Sequence, residues 1–262
     1  MNQTAASYYV EENDIWGLPQ KFKDLVLYPI TIGQVELKTL LYKIFCHPKN
    51  YIPDAQIVRM SYLKFLVYAV QSTIKDGDEG VDGWLSTFFK GVCRTDNAVL
   101  RWEKRDGVPA SAFDSVQFFL VVNGVSYTER DFKHIREIVL QQNGLSIEYV
   151  EDYKPDLEEM LHAIPNEMTG AQFKDEVTTF CALNRCLIDD IKDYTLVQFH
   201  EHFQRLLMLQ TYELCKPVEW TSPTKIKNPV PHYFTPLKRQ GRYDSILIEK
   251  DKYIQKNKAV FE

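Results

Sequence analysis

Residues Ser115 to Gly144 read SVQFFLVVNGVSYTERDFKHIREIVLQQNG and leave the backbone few choices. Val116–Val122 is an apolar run rich in strand-forming residues. Asn123-Gly124 follows, a dipeptide suited to a two-residue hairpin because such a turn needs positive φ at both central positions. Val125–Tyr127 then returns as a short strand. Thr128 stands where it can cap a helix, with Asp131 as a variant of the capping-box partner. Asn143-Gly144 supplies a left-handed stop. The stretch therefore predicts a β-hairpin running into a helix, and it holds no nucleophile, base or metal-ligand set.

Helical spacing dominates on both sides. Thr31 predicts a cap for a helix reaching Cys46, with Gln34 as its partner, and His47-Pro48 ends it. From Pro53 to Ile74 two adjacent apolar stripes predict one helix buried around most of its circumference. Lys75–Gly83 breaks the pattern, and a short helix is expected at Trp84–Lys90. Ala98–Glu103 and Val116–Val122 predict strands that form a small antiparallel sheet with Val125–Tyr127. Later helices are expected at Asp156–Ile164, from Thr169 to about Asp190, and from a Thr195/Gln198 cap to Pro217. The last two read as an αα-hairpin turning near Asp193.

The fold class is α+β, mainly helical, with a small antiparallel sheet near the middle. The organisation predicted is a polar arm at 1–14, a helical and β-hairpin lobe at 15–144, a helical lobe at 145–216 and a Pro-rich extended tail at 217–262. That tail carries nine Lys or Arg against five Asp or Glu, in a chain of net charge −5. Within the tail, Ser245–Glu249 reads as one further strand.

Composition narrows the classes. With 45% hydrophobic and 13% aromatic residues the chain can bury a substantial core. A negative total does not point to nucleic acid. The opening MNQTAASYYVEEND has no basic n-region or apolar h-region, so no secretory leader is expected. The apolar run Tyr62–Val70 contains Lys64 and is too short to span a bilayer. Five scattered cysteines, odd in number, read as core thiols of a reducing compartment rather than a disulfide set.

Residue patterns that carry chemistry are few. Asp76, Asp78, Glu79 and Asp82 resemble a calcium loop only until the twelfth position, which is Thr87 instead of glutamate. The pairs Glu158-Glu159 and Asp189-Asp190 are adjacent and do not share a helix face. His200-Glu201-His202 spaces its histidines two apart, where zinc on a helix wants four. Cys93 beside Arg94 would be an activated thiol only if exposed. No P-loop, GxGxxG, GxSxG or CxxC occurs. No catalytic residue, cofactor or metal is expected. An enzyme with a dispersed site, on Cys93 or His200, is one reading to be tested.

The candidate partner-binding residues are Trp220, Tyr233, Phe234, Lys238, Arg239, Arg242 and Tyr243. Basic residues mixed with aromatics can hold nucleic acid, but Trp, Tyr and Arg are equally enriched at protein interfaces.

The segment GVSYTERDFKHIREIVLQQNG is similar to a pattern of bacteriophage virion and tail-assembly proteins. The order of segments resembles it too, from WGLPQKFKDLVLYPITIGQ through IKDYTLVQFHEHFQRLL to YDSILIEKDKYI. Tyr28–Gly33 corresponds to the short strand that leads such chains into a helix. The resemblance implies a non-enzymatic assembly factor or virion component, with tail-assembly chaperone as the sharper form. Its partners would be other phage structural or assembly proteins, in the host cytoplasm or in the particle, without membrane. The alternative is a nucleic-acid accessory factor using the basic and aromatic residues of the tail.

Overall fold

The computed structural model describes residues 12–74, 79–105, 107, 115–163, 172–221, 230–237 and 242–243. In chain order these form α1 (Glu12–Ile15), β1 (Gln20–Phe22), β2 (Leu25–Leu27), α2 (Val35–Phe45), α3 (Ala55–Arg59) and α4 (Tyr62–Phe65). Then come α5 (Val81–Cys93), β3 (Ala98–Lys104), β4 (Val116–Val122), β5 (Val125–Tyr127) and α6 (Glu129–Gln142). The chain continues as α7 (Ile147–Glu151), α8 (Pro155–Ala163), α9 (Phe173–Asn184), α10 (Ile188–Ile191) and α11 (Leu196–Thr221). The fold is α+β and mainly helical, with a two-stranded β1-β2 ladder and an antiparallel sheet in the order β3-β4-β5.

The hairpin-to-helix unit forms as its residues dictate. Asn123 and Gly124 both take positive φ, at 52° and 80°. Leu120 faces Tyr127 and Val122 faces Val125, so the buried face of β4 is continued by Tyr127. At the start of α6, Asp131 N–H donates to Thr128 Oγ1 at 3.3 Å and Thr128 N–H donates to Asp131 Oδ2 at 3.0 Å. At its end, Gly144 N–H reaches Gln141 O and Leu145 N–H reaches Leu140 O, both at 2.9 Å, with Gly144 at φ 80°. This pair of bonds is the Schellman arrangement.

The core is built around four phenylalanines. Phe45 of α2 lies 4.9 Å from Phe88 and 6.0 Å from Phe132, and Phe88 and Phe89 meet edge to face. All four are fully buried. Gly91 lets α2 come close to α5, since a Cβ there would lie 2.5 Å from Leu37 Cδ1. Above Phe45, the buried Arg136 covers the end of α2. Its Nη2 and Nε donate to Phe45 O at 3.0 and 3.2 Å, its Nη1 pairs with Glu151 at 2.5 Å, and its guanidinium lies 3.4 Å over the Tyr62 ring. A cation at a helix C-terminus answers both the orphan carbonyls and the dipole.

Five helix boundaries differ from those the periodicity implies. Thr31 bonds to the Gln34 side chain at 3.0 Å, but α2 begins only at Val35 because Thr31 itself pairs with Thr195. The 53–74 segment is not one helix. Met60 is extended and Ser61 caps a new start by accepting from Lys64 N–H at 3.3 Å, so α4 begins at Tyr62 and continues as a π turn over Leu66–Val70. The segment from Phe173 is divided by Arg185 at φ 53°, so its last part stands apart as α10, and the turn expected near Asp193 follows it, with Tyr194 N–H donating to Ile191 O at 2.9 Å. Pro217 lies inside α11 and does not end it. The last turn is held by Lys216–Glu219 at 2.7 Å and by the Val230 N–H donating to Glu219. The α5 helix also begins earlier than expected, at Val81. The expected strand Ser245–Glu249 and the start of a helix at Thr169 lie outside the described residues.

The extended residues Tyr28–Gly33 join the two halves of the chain. Tyr28 N–H donates to Val92 O at the end of α5 at 2.8 Å, and the Gln142 amide donates to Tyr28 O at 3.1 Å. Ile30 N–H donates to Asn143 Oδ1 at 2.9 Å, and Asn143 Nδ2 donates to Val139 O at 2.7 Å. Leu196 N–H donates to Ile30 O, Ile32 N–H to Tyr194 O and Gly33 N–H to Lys192 O, at 2.9–3.0 Å. A buried amide that satisfies one donor and one acceptor cannot be replaced by an apolar isostere without orphaning both. Asn143→Leu is expected to destabilise the fold by about 2–3 kcal/mol, read as a lowered midpoint in urea unfolding.

A second prediction concerns α2 and α9. Lys38 Nζ sits 2.9 Å from the centroid of the Phe173 ring. Burial pushes its ammonium down to about 8, with Glu176 opposing. Between pH 8 and about 10 the unfolded chain keeps a proton that the folded chain has released, so stability contributed by this site rises with pH across that window. Lys38→Met should flatten the rise in a series of thermal melts from neutral to alkaline pH.

Candidate functional site

α11 is anchored in the core by its first turns and is more exposed toward its far end. Thr195 N–H donates to Gln198 Oε1 at 2.9 Å and Gln198 N–H to Thr195 Oγ1 at 3.1 Å, which completes the predicted capping box. The first two turns bury Leu196, Val197 and Phe199. Phe199 meets Phe173 at 5.6 Å, Phe180 at 5.3 Å and Phe203 at 5.9 Å, so an aromatic ladder ties α9 to α11. Farther along, apolar side chains face solvent: Leu214 is 75%, Val218 61% and Trp220 76% exposed.

Residues 230–237 return along this helix. The Arg205 guanidinium donates to Tyr233 O at 2.8 Å and Thr235 O at 2.6 Å. His232 stacks on Tyr233 at 4.2 Å, and both meet Tyr212 of α11, at 5.1 and 5.4 Å. Phe234 touches the Tyr233 ring at 4.6 Å yet remains 76% exposed. Between this segment, α10 and α11 runs a groove of about 670 Å³, floored by Phe180, Ile191, Leu206 and Leu209. Tyr194 and His202 form one wall, with rings 5.5 Å apart, and Tyr233 and Phe234 form the other.

The expected binding residues thus separate into groups with different surroundings. Trp220, Tyr233 and Phe234 belong to α11 and its returning segment. Arg242 and Tyr243 instead dock on α8. The Arg242 Nε donates to Glu158, the Tyr243 hydroxyl donates to the same carboxylate at 2.8 Å, and Lys154 N–H donates to that hydroxyl at 2.6 Å. Tyr243 is buried, and the Arg242 guanidinium lies 5.4 Å over Tyr153 and 5.9 Å over Tyr149. The charge of Arg242 is therefore matched by a carboxylate, and the ring of Tyr243 is covered. Lys238 and Arg239 lie outside the described residues.

Other sequence candidates find plain surroundings. Burial pushes the Cys93 thiol up to about 12, while the neighbouring Arg94 guanidinium lies 3.8 Å over the Tyr28 ring. That is the opposite of an activated thiolate. Cys215 is exposed, a departure from the expectation of core thiols, because it rides on the far half of α11. No group of three His, Cys, Asp or Glu side chains could hold a metal among the described residues, although Asp76 and Asp78 of the calcium-like loop lie outside them. Among the described residues, no helix is long and apolar enough to cross a membrane.

Leu209 and Tyr194 were not picked out from the sequence, and Leu206 was read only as part of the inner face of α11. The signal was present in the run Leu206-Leu207-Met208-Leu209, which makes α11 apolar on more than one face and so demands contacts on more than one side.

No curated protein and no solved structure matches the chain. Residues 164–238 match a family model described as YomV second domain, a Bacillus phage-derived protein family, which suggests a phage protein. The match spans α9, α10, α11 and the returning segment, and so takes in the groove together with Trp220, Tyr233 and Phe234.

Proposed function

We propose that the chain is a non-enzymatic phage assembly factor or virion component that works through protein contacts, in its sharpest form a tail-assembly chaperone. One observation carries the reading. The stretch similar to a phage-derived family holds a helix whose far half exposes Leu214, Val218 and Trp220, followed by a returning segment that exposes Phe234. Several large apolar side chains exposed in one segment of a folded chain suit coverage by a partner. Exposed tryptophan is a common binding hot spot. The partner proposed is another phage structural protein offering an apolar segment to α11, met in the host cytoplasm or retained in the particle.

A specific observation also weakens the nucleic-acid alternative built on the tail, since Arg242 is engaged by Glu158 and Tyr243 is buried.

The experiment is affinity purification of the tagged full chain from phage-infected cells, followed by mass spectrometry. Tail or capsid proteins should co-purify, and the double variant Leu214→Ser with Trp220→Ser should lose at least about 2 kcal/mol of binding to the recovered partner. Both positions are exposed, so the variant should keep the parent's melting temperature. Recovery of the chain alone would overturn the proposal.

A further inference from the structure

A separate concavity of about 830 Å³ opens where the break between α3 and α4 meets the ends of β3 and β4 and the first turns of α6. Lys49, Arg59, Arg105, Arg130, Lys133 and Arg136 line it against two carboxylates, Glu129 and Glu151. The chain as a whole carries a net charge of −5, so this surface has the opposite sign to the molecule around it.

The two carboxylates are already engaged. Glu151 pairs with Arg136 at 2.5 Å, and Glu129 accepts from Phe118 N–H at 3.1 Å with Lys64 Nζ at 3.8 Å. Most of the cations are not neutralised. Lys49 Nζ donates to Val58 O at 3.0 Å and Met60 O at 3.1 Å, carbonyls that hold its position and leave its charge. Lys133 lies 3.9 Å from Glu137 on an exposed face. The Arg59, Arg105 and Arg130 side chains have no ion pair among the described residues. The positive field is felt inside the site: burial lowers the Lys49 ammonium first, Glu151 opposes, and Arg136 and Lys133 push it down further.

Like charges gathered on a concave wall repel one another, and a bound anion relieves that repulsion. The guanidinium fork matches phosphate oxygens two at a time. The start of α6 adds the positive end of a helix of 14 residues. Among the described lining residues there is no exposed ring for stacking, since Tyr62 is buried beneath Arg136. Recognition would therefore run through phosphates and not through a base.

We propose that this cavity binds a ligand bearing several phosphates, held by Arg59, Arg130, Lys133 and Lys49. The source is either the polyphosphate of a nucleotide or the successive phosphodiesters of a nucleic-acid strand. This site uses none of the α11 surface, and it stands whether or not the protein-contact reading holds.

The test uses the full chain with two probes, tripolyphosphate by calorimetry and a labelled single-stranded oligonucleotide by fluorescence polarisation. Binding should weaken steeply between about 50 and 200 mM salt. Arg59→Glu with Arg130→Glu should weaken it at least about tenfold, and the uncharged pair Arg59→Gln with Arg130→Gln should lower the oligonucleotide salt slope by about one per lost contact. Lys90→Glu with Lys174→Glu, an equal charge change away from the cavity, should leave affinity near that of the parent. Tripolyphosphate that binds and displaces the oligonucleotide identifies a compact polyphosphate ligand. Oligonucleotide binding that tripolyphosphate does not displace identifies a strand backbone. The proposal is overturned if neither probe binds at low salt, or if the distant pair weakens binding as much as the cavity pair.

Discussion

The extended residues Tyr28–Gly33 are the interaction on which the rest of the fold depends. They carry little regular structure of their own, yet their backbone groups bond to the end of α5, the end of α6 and the start of α11. Asn143 is the key partner. Its Oδ1 accepts the Ile30 N–H while its Nδ2 returns to Val139 O, so one side chain both closes α6 and fixes the extended strip. Ile30 is fully buried and belongs to the same core as Phe45, Phe132 and Phe199. Burying an extended backbone is tolerable only when its polar groups are met one by one. Here helix ends supply the partners because their terminal groups lack intrahelical ones.

Elements governed by neighbours a few residues away were readable from the sequence. The Asn123-Gly124 turn, the Thr128/Asp131 box and the Gly144 stop each depend on local stereochemistry, and each appears where its residues stand. The break at Met60–Ser61 was not readable, because an unbroken apolar period masks a serine cap. Pro217 misled in the other direction. A proline ends a helix when the lost bond cannot be offset, but this one sits on an exposed end where Glu219 ties the last turn to Val230. The role of Tyr28–Gly33 was legible only as a short extended piece, since most of its partners lie more than a hundred residues away.

The candidate surfaces follow the same division. Trp220, Tyr233 and Phe234 stand out as aromatics in a Pro-rich stretch, a property of composition. That Arg242 and Tyr243 share one glutamate of α8 depends on tertiary placement, so the tail reads as a single basic patch until the fold separates it. The cationic cavity was invisible for a related reason. Lys49, Arg59, Arg105 and Arg130 come from four separate segments, none of which is a basic run. Charge counts along a chain report runs; only folding reports what converges.

The position of the strip also dictates the order in which the molecule can be completed during synthesis. Its strongest partners arrive late, with Asn143 from the middle of the chain and the Lys192–Leu196 turn later still. Contacts so distant along the chain close slowly, because the intervening loop must first lose its entropy. Until Lys192–Leu196 emerges from the ribosome, the Ile30 carbonyl and the Ile32 N–H lack the partners they have in the core. The nascent chain therefore carries an apolar ribbon until the Lys192–Leu196 segment follows it, and assembly of the core waits on the helix that later presents the exposed face.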